Sequence, residues 1–349
     1  MNITFIIGNG FDMNIGLQTS YSAFLKEYKQ GKQNDTELIK WFKKEVLSDE
    51  ELWASAEVAF GRTTEQFSNK KYTAENFYEC YEDFCINLAE YLKNQEKRID
   101  DEIIKKLATS SFLKAITNWL GGFREAEKET INSIVNKIGG GFQYNFISFN
   151  YTLTLDRCVN PIKNAKGILG TRTFGNTSYG NNIGNIYHVH GYTDKDMVFG
   201  VNDESQISDL SIFDGFDGEY LNQLIKIKTN KMNNQNMDAK VHNLLKNSDL
   251  IYIYGMSIGE TDKLWWGRIC EIMKERKNLQ LLIYNYEAPT EELFQLKFRL
   301  FVNKERDKFL SFSNLNDADK KLLSERIHFA RNNLFKGISD SVSEKSSNK

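Results

Sequence analysis

The residues in this chain that could do chemistry stand in a few short stretches, each closing an apolar run. The first is Ile3 to Tyr21, ITFIIGNGFDMNIGLQTSY. A β-branched run breaks at Gly8-Asn9-Gly10, and Phe11, Asp12 and Gly16 follow on a helix-compatible segment. Two glycines permit positive φ and close approach of a ligand, and a helix N-terminus aims free N–H groups and partial positive charge at an anion. The stretch therefore reads as a phosphate pocket. Met13 takes the place of the third glycine in the common dinucleotide fingerprint, which leaves a plain tight turn as the competing reading. Further on, Tyr144 to Phe149 runs into Asn150, Asn185 to Val189 into His190-Gly191, and Leu250 to Tyr254 into Gly255-Met256-Ser257, with Asp262 just beyond. A histidine there can move a proton near neutral pH, and an asparagine can orient a sugar or a water.

The elements that must position these residues follow from periodicity. The runs are short, β-branched and bounded by glycine or asparagine, so they are read as buried strands. Helical patterns separate them, which implies right-handed crossovers and a mostly parallel sheet in an α/β domain. Ligands of such sheets bind outside the carboxyl ends of the strands, where all the residues above fall. Between residues 36 and 137 no strand is evident. Phe77, Tyr81, Phe84, Leu88, Tyr91 and Leu92 recur at helical spacing, as do Ile99, Ile103, Leu107, Phe112, Ile116 and Trp119. These stripes are assigned to packing between helices, without chemistry. The expected organisation is one α/β domain from 1–34 and 139–335, an inserted helical subdomain over 35–138, and a Ser/Lys-rich tail without fixed structure over 336–349. Residues 160–185 are expected as a long loop, Met197 to Phe199 as a short strand, Gln223 to Lys246 as helix with Lys226, Lys228 and Lys231 solvated, and Thr261 as an N-cap. Leu279 to Tyr284 is expected as the last strong strand, followed by helices to about Ala330.

Composition narrows the class. The chain has 349 residues, 40% hydrophobic and 26% charged, enough for a large core without covalent staples. Its formal net charge of -2 supplies no global basic field, so nucleic acid is not an expected partner. The four cysteines form no C-x-x-C pair, and no apolar run reaches the length of a membrane span. Met1 to Ile7 lacks the basic region of a secretory signal. A cytoplasmic protein is expected, without membrane or metal.

Taken in order, IIGNGFD, FISFNYT, HVHG and IYGMSIGETD resemble the bacterial abortive-infection AbiH family from the N-terminus to about Trp266, and that family is similar to the sirtuin-like fold. The resemblance implies a Rossmann-like sheet that binds NAD. On it, Gly8, Asn9, Gly10, Phe11, Asp12 and Gly16 form the glycine loop, Gly191 the partner of His190, and Gly255, Ser257 and Asp262 a late ligand turn. It also implies His190 as general base and Asn150 as the group that positions the ribose or a water. The function implied is phage defence by cleavage of the nicotinamide-ribose bond of NAD, with a nucleotide as ligand, a phage-derived trigger, and self-association left open. Deacylation is disfavoured, since no zinc ribbon can be built. Gln18 replaces a proline after the glycine loop, and Thr152 stands where many sirtuin-like hydrolases carry Asp.

Competing readings stand beside these. A nucleotide-sensing module that signals through its helical insert, without turnover, uses the same pocket. Asn150 equally suits the cap of a helix starting near Leu153, and His190 a hydrogen-bonded structural role. His188 and His190 share a strand face, but spacing marks no third metal ligand. Gly255-x-Ser257-x-Gly259 fits a nucleophile elbow, whose only later histidine is His328.

Overall fold

The computed structural model describes residues 1–53, 55–165, 167–233, 236–289 and 295–338. The tail expected from 336 lies, from 339 onward, outside them. The chain divides into two compact units: Met1–Gly16, Ile99–Val189 and Ala239 onward form the first, and Leu17–Arg98 with His190–Asp238 form the second.

The first unit is built on strands β1 (Asn2–Ile7), β2 (Gln143–Ser148), a hairpin β3 (Thr171–Phe174) and β4 (Thr177–Gly180), β5 (Asn182–His188), β6 (Leu250–Tyr254), β7 (Gln280–Tyr284) and β8 (Ile327–Ala330). Six of them form one sheet in the order β5-β2-β1-β6-β7-β8, with every ladder parallel. Counted in order of use within that sheet, this is 3-2-1-4-5-6, the doubly wound order, and its direction reverses between β1 and β6. The inner strands β1, β2, β6 and β7 are buried along almost their whole length because both faces are covered, whereas the edge strand β5 is buried only at His188. Phe5 pairs in register with Phe146 and Tyr252, its ring stacked on theirs at 5.4 and 5.7 Å, while Ile6 pairs with Ile147 and Ile253 on the other face. All six side chains are buried, each contributing about 1.5–3 kcal/mol.

Three expectations need correction here. Residues 160–185 are not a loop: a helix spans Thr154–Asn164, and a hairpin turning at Gly175 leads into β5. The hairpin strands are four residues each and largely exposed, so they carry no apolar alternation to read. The end of the chain is not wholly helical either. β8 is too short to declare itself and is fixed by pairing with β7, Leu281 opposite Ile327. The helix after β6 starts at Lys263, with Asp262 rather than Thr261 at its N-cap position.

The second unit is helical. Its longest helix, Ala74–Glu96, begins with a capping box between Thr73 and Asn76 and buries Phe77, Tyr81, Phe84, Leu88, Tyr91 and Leu92. Phe84 lies edge-on to Phe60 at 4.9 Å and to Phe24 at 5.1 Å, and Trp53 meets Phe60 at 5.0 Å. The aromatic stripe is core, as its period implied. Met197 to Phe199 is not a strand; the regular pairing nearby is limited to two isolated bridges, Tyr192 with Lys195 and Val201 with Ile225. The helix expected over Gln223 to Lys246 is broken at Ile225, whose extended backbone separates Gly218–Leu224 from Lys226–Met232; a further helix covers Met237–Lys246.

Candidate functional site

The glycines at the end of β1 serve close packing. The Gly8 N–H donates to the Tyr254 carbonyl at 2.9 Å, the Gly10 N–H to the Gly255 carbonyl at 2.8 Å, and the Phe11 N–H to the Gly8 carbonyl at 2.9 Å. A Cβ on Gly10 would stand 2.6 Å from the Gly255 Cα, and one on Gly8 would stand 2.7 Å from the Gly255 carbonyl oxygen. Gly255 itself has φ +70°, and a Cβ there would meet the Phe11 nitrogen at 2.7 Å. The turns after β1 and β6 thus touch backbone to backbone at the point where the strand order reverses. The N–H groups of Gly8, Gly10 and Phe11 are committed to protein carbonyls, and the helix that follows, Gly10–Asn14, is a little over one turn. Asn9 precedes it without a side-chain cap. Gly16, at φ +96°, ends it in the left-handed conformation. Phe11 is wholly buried, edge-on to Phe112 at 5.9 Å and to Phe335 at 5.2 Å, and anchors the turn in the core.

The end of β2 meets this helix. Asp12 is 1% exposed, and its Oδ2 accepts the Thr152 hydroxyl at 2.5 Å. Nearby Cys158 is pushed up to about 12, first by burial and then by the Asp12 charge, so it stays a thiol. Asn150 caps nothing. The helix beyond it starts at Thr154 with Leu153 at the cap position, and Asn150 uses only its backbone N–H, on Ser148 Oγ at 3.2 Å. Its side chain is 5% exposed, yet neither Nδ2 nor Oδ1 has a hydrogen-bond partner among the described residues. An orphaned buried amide costs about 1–3 kcal/mol for each unmet group, so it calls for a ligand or a functional reason. His188, at the end of β5, is engaged with Asp156, Nε2 to Oδ2 at 2.8 Å.

Beside the two glycine turns lies a cavity of about 260 Å³, walled by Gly10, Met13, Asn14, Tyr254, Gly255, Met256, Tyr284, Tyr286 and Asn333. Tyr254 stacks on Tyr284 at 5.2 Å and 13°. The Tyr254 hydroxyl donates to Asn333 Oδ1 at 2.7 Å, Asn333 Nδ2 donates to Asn14 Oδ1 at 2.7 Å, and Asn14 Nδ2 donates to the Phe335 carbonyl at 2.9 Å. Burial holds both phenols above their ordinary pKa, so the wall is neutral and aromatic. Sequence reasoning missed Met13, Asn14, Tyr284, Tyr286 and Asn333. The signal for two of the tyrosines was present, since Tyr284 to Tyr286 close an apolar run as the other stretches do. Asn333 was hidden because β8 itself was not legible.

The remaining candidates separate. Ser257 is exposed, and the next α-helix begins six residues later, whereas an elbow nucleophile sits at the strand-to-helix turn itself. His328 lies on β8, two strands from β6, with Nε2 held by Gln280 at 2.9 Å. The elbow reading falls on geometry. Asp262 sits at the N-cap position of Lys263–Glu275 without a side-chain cap. His190 and Gly191 belong to the second unit, which the chain enters between Val189 and His190. His190 is 5% exposed, and its carbonyl accepts the Val198 N–H at 2.8 Å. Gly191 has φ +64°, and a Cβ there would stand 2.0 Å from the Asp196 carbonyl oxygen, so the reverse turn at Tyr192 to Lys195 demands glycine. Lys226, expected in solvent, is buried: its Nζ pairs with Glu57 at 2.8 Å, and Tyr21 donates to the same carboxylate at 3.1 Å. Among the described residues no cluster of three or more His, Cys, Asp or Glu could hold a metal.

A parallel sheet in the doubly wound order, with glycine turns meeting where that order reverses, defines an α/β protein of the class that places its sites at the carboxyl ends of its strands. Residues 4–285 match the family model described as bacteriophage abortive infection AbiH, and the chain belongs to that family. Membership implies a part in abortive-infection defence against phage. No curated protein and no solved structure gives a significant match. Among the described residues no helix is long and apolar enough to cross a membrane.

Proposed function

We propose that this chain acts in abortive infection by consuming NAD, cleaving the bond between nicotinamide and ribose on a sirtuin-like version of the doubly wound sheet. The observation that carries the reading is Asn150: a buried amide without a partner, two residues beyond β2, on the edge where ligands of such sheets bind. A primary amide offers one donor pair and one acceptor, suited to the hydroxyls of a ribose or to a water. Cleaving an N-glycosidic bond passes through an oxocarbenium-like state, so the site must hold the sugar and accept a proton near neutral pH. Asn150 is the proposed positioning group and His190 the proposed base. Gly8, Asn9, Gly10, Phe11, Asp12 and Gly16, with Gly191, Gly255, Ser257 and Asp262, frame the ligand on this reading. A phage-derived molecule is the proposed trigger.

The test is nicotinamide release from NAD by purified protein, with and without phage lysate, measured by chromatography. Release that vanishes in Asn150→Ala and His190→Ala supports the reading. Absence of release under every trigger, together with unchanged toxicity of His190→Ala in cells, refutes it.

A second reading, nucleotide sensing without turnover, is favoured by the glycine turn: the N–H groups of Gly8, Gly10 and Phe11 are already spent, and the neighbouring cavity is walled by neutral tyrosines and asparagines. Here a nucleoside raises the melting temperature of the protein, Tyr284→Ala abolishes that rise, and no product ever forms. Calorimetry without any nucleotide binding removes this reading.

A further inference from the structure

We propose that the first unit carries an anion site in a cavity distinct from the one beside the glycine turns, formed by Arg299, Arg306 and Arg331 and suited to the phosphate group of a small ligand. The three guanidinium groups line a cavity of about 260 Å³ between the helix Gln295–Ser311 and β8, with Glu127 as the one carboxylate on its wall. Three cations face one acid there, in a chain whose formal net charge is -2.

Arginines in folded proteins ordinarily answer a carboxylate or a row of carbonyls, and Arg172 of this chain does so, donating to the carbonyls of Val135, Ile138 and Gly140. None of the three cavity arginines makes an ion pair among the described residues. Arg306 donates only to the Ile327 carbonyl at 3.2 Å and, at 3.5 Å, to Asn303 Oδ1, and its Nε is buried without a partner. Arg331 lies 3.7 Å from the centre of the Phe298 ring, and its Nε is likewise buried without a partner. Stacking on Phe298 satisfies the face of the Arg331 guanidinium and fixes its plane, while the N–H groups at its edge stay unspent. Its backbone is pinned as well, by the Arg331 N–H on the Gly122 carbonyl at 2.8 Å.

Buried charged donors without acceptors are costly, and an oxyanion that accepts from several guanidinium edges removes the cost. The planar fork of arginine matches phosphate two bonds at a time, and three such forks exceed what a single carboxylate can use. The volume falls below the roughly 300–1,000 Å³ of sites that enclose a drug-sized ligand, so the cavity holds a phosphate with a small part of what bears it.

The experiment uses the full chain, with inorganic phosphate as probe and chloride at matched ionic strength as reference, followed by calorimetry and thermal melting. Phosphate is expected to bind and to raise the melting temperature beyond chloride. Arg331→Gln and Arg299→Gln are each expected to weaken it by about tenfold or more. Arg299 is exposed on the rim, so its variant keeps the test open if Arg331→Gln does not fold. Adenosine monophosphate and adenosine then separate a nucleotide phosphate from the free ion: the Arg331-sensitive part of binding is expected for the monophosphate and not for adenosine. If the monophosphate binds more tightly than inorganic phosphate, the ligand is a nucleotide; equal affinity makes it the free anion. The proposal is overturned if phosphate acts no differently from chloride, if both arginine variants bind as the wild type does, or if adenosine shows the same Arg331-sensitive binding.

Discussion

Gly10→Ala distinguishes two jobs for the glycine turn. If the glycine exists to admit a ligand, a methyl group there leaves the protein stable and harms only binding. The geometry says otherwise, because the new Cβ would stand 2.6 Å from the Gly255 Cα and 3.1 Å from its carbonyl oxygen. Both neighbours are backbone, so relief requires the turns after β1 and β6 to separate by roughly 1 Å, to ordinary contact distance. That is overpacking, worth about 1–3 kcal/mol, and it endangers the 2.8 Å bond from the Gly10 N–H to the Gly255 carbonyl, worth about 0.5–1.5 kcal/mol more. The expected loss is about 2–4 kcal/mol. Gly180→Ala is the control, since a Cβ there meets nothing within 4 Å and the backbone is not in the left-handed region. Urea unfolding followed by circular dichroism, without ligand, should show the midpoint of Gly10→Ala well below wild type while Gly180→Ala stays within about 0.5 kcal/mol of it. Equal midpoints for the two variants would refute the packing argument and return the glycine to a ligand-binding role.

Other outcomes follow from the same geometry. Asn150→Leu removes a buried amide that pairs with nothing, so unfolding should show stability unchanged or raised by about 1–3 kcal/mol while nicotinamide release is lost; a destabilised variant would mean the amide has a structural partner. Lys226→Met strands the Glu57 carboxylate in the helical unit and should cost about 3–5 kcal/mol, most of it regained in the double variant Lys226→Met with Glu57→Gln; a loss under about 0.5 kcal/mol would return Lys226 to solvent. Thr152→Val leaves Asp12 without its hydroxyl donor and should destabilise by about 1–3 kcal/mol, measurable as a lower melting temperature. Burial and the Arg306 charge push His328 down to about 4 from 6.5, so the folded protein holds it neutral. The unfolded chain takes up the proton first as pH falls. Stability tied to His328 is therefore present above about pH 6.5 and lost between there and about pH 4, by up to about 3 kcal/mol. His328→Gln should flatten that part of the pH profile relative to wild type, and an identical profile would argue against it.

How much of this was legible in the sequence depended on whether a feature is local. The strands β1, β2, β6 and β7 announced themselves, because burial on both faces writes itself as a continuous β-branched and aromatic run. The stripe from Phe77 to Leu92 was legible for the same reason, one buried face repeating at helical period. The motifs at the strand ends were also legible, since a turn needs glycine or a small polar residue wherever it falls, and their order carried the family. β8 and the hairpin were not legible: four-residue strands acquire their conformation from the neighbour they pair with.

The sequence by itself determined the parallel α/β class, the buried helical stripe from Phe77 to Leu92 and the places where chemistry could gather. Only the tertiary structure decided what those residues do. Thr152 meets Asp12 across 140 residues, and Lys226 meets Glu57 across 169, so neither pairing leaves a periodic trace. The glycines of the first turn read as a cradle for phosphate, but Gly255, 245 residues beyond Gly10, occupies the space they vacate. Asn150 read equally well as a cap, until the helix beyond it started too late to use it. The physical reason is common to all of these: a pattern along the chain reports whether a residue is buried, whereas its partner is chosen by the fold.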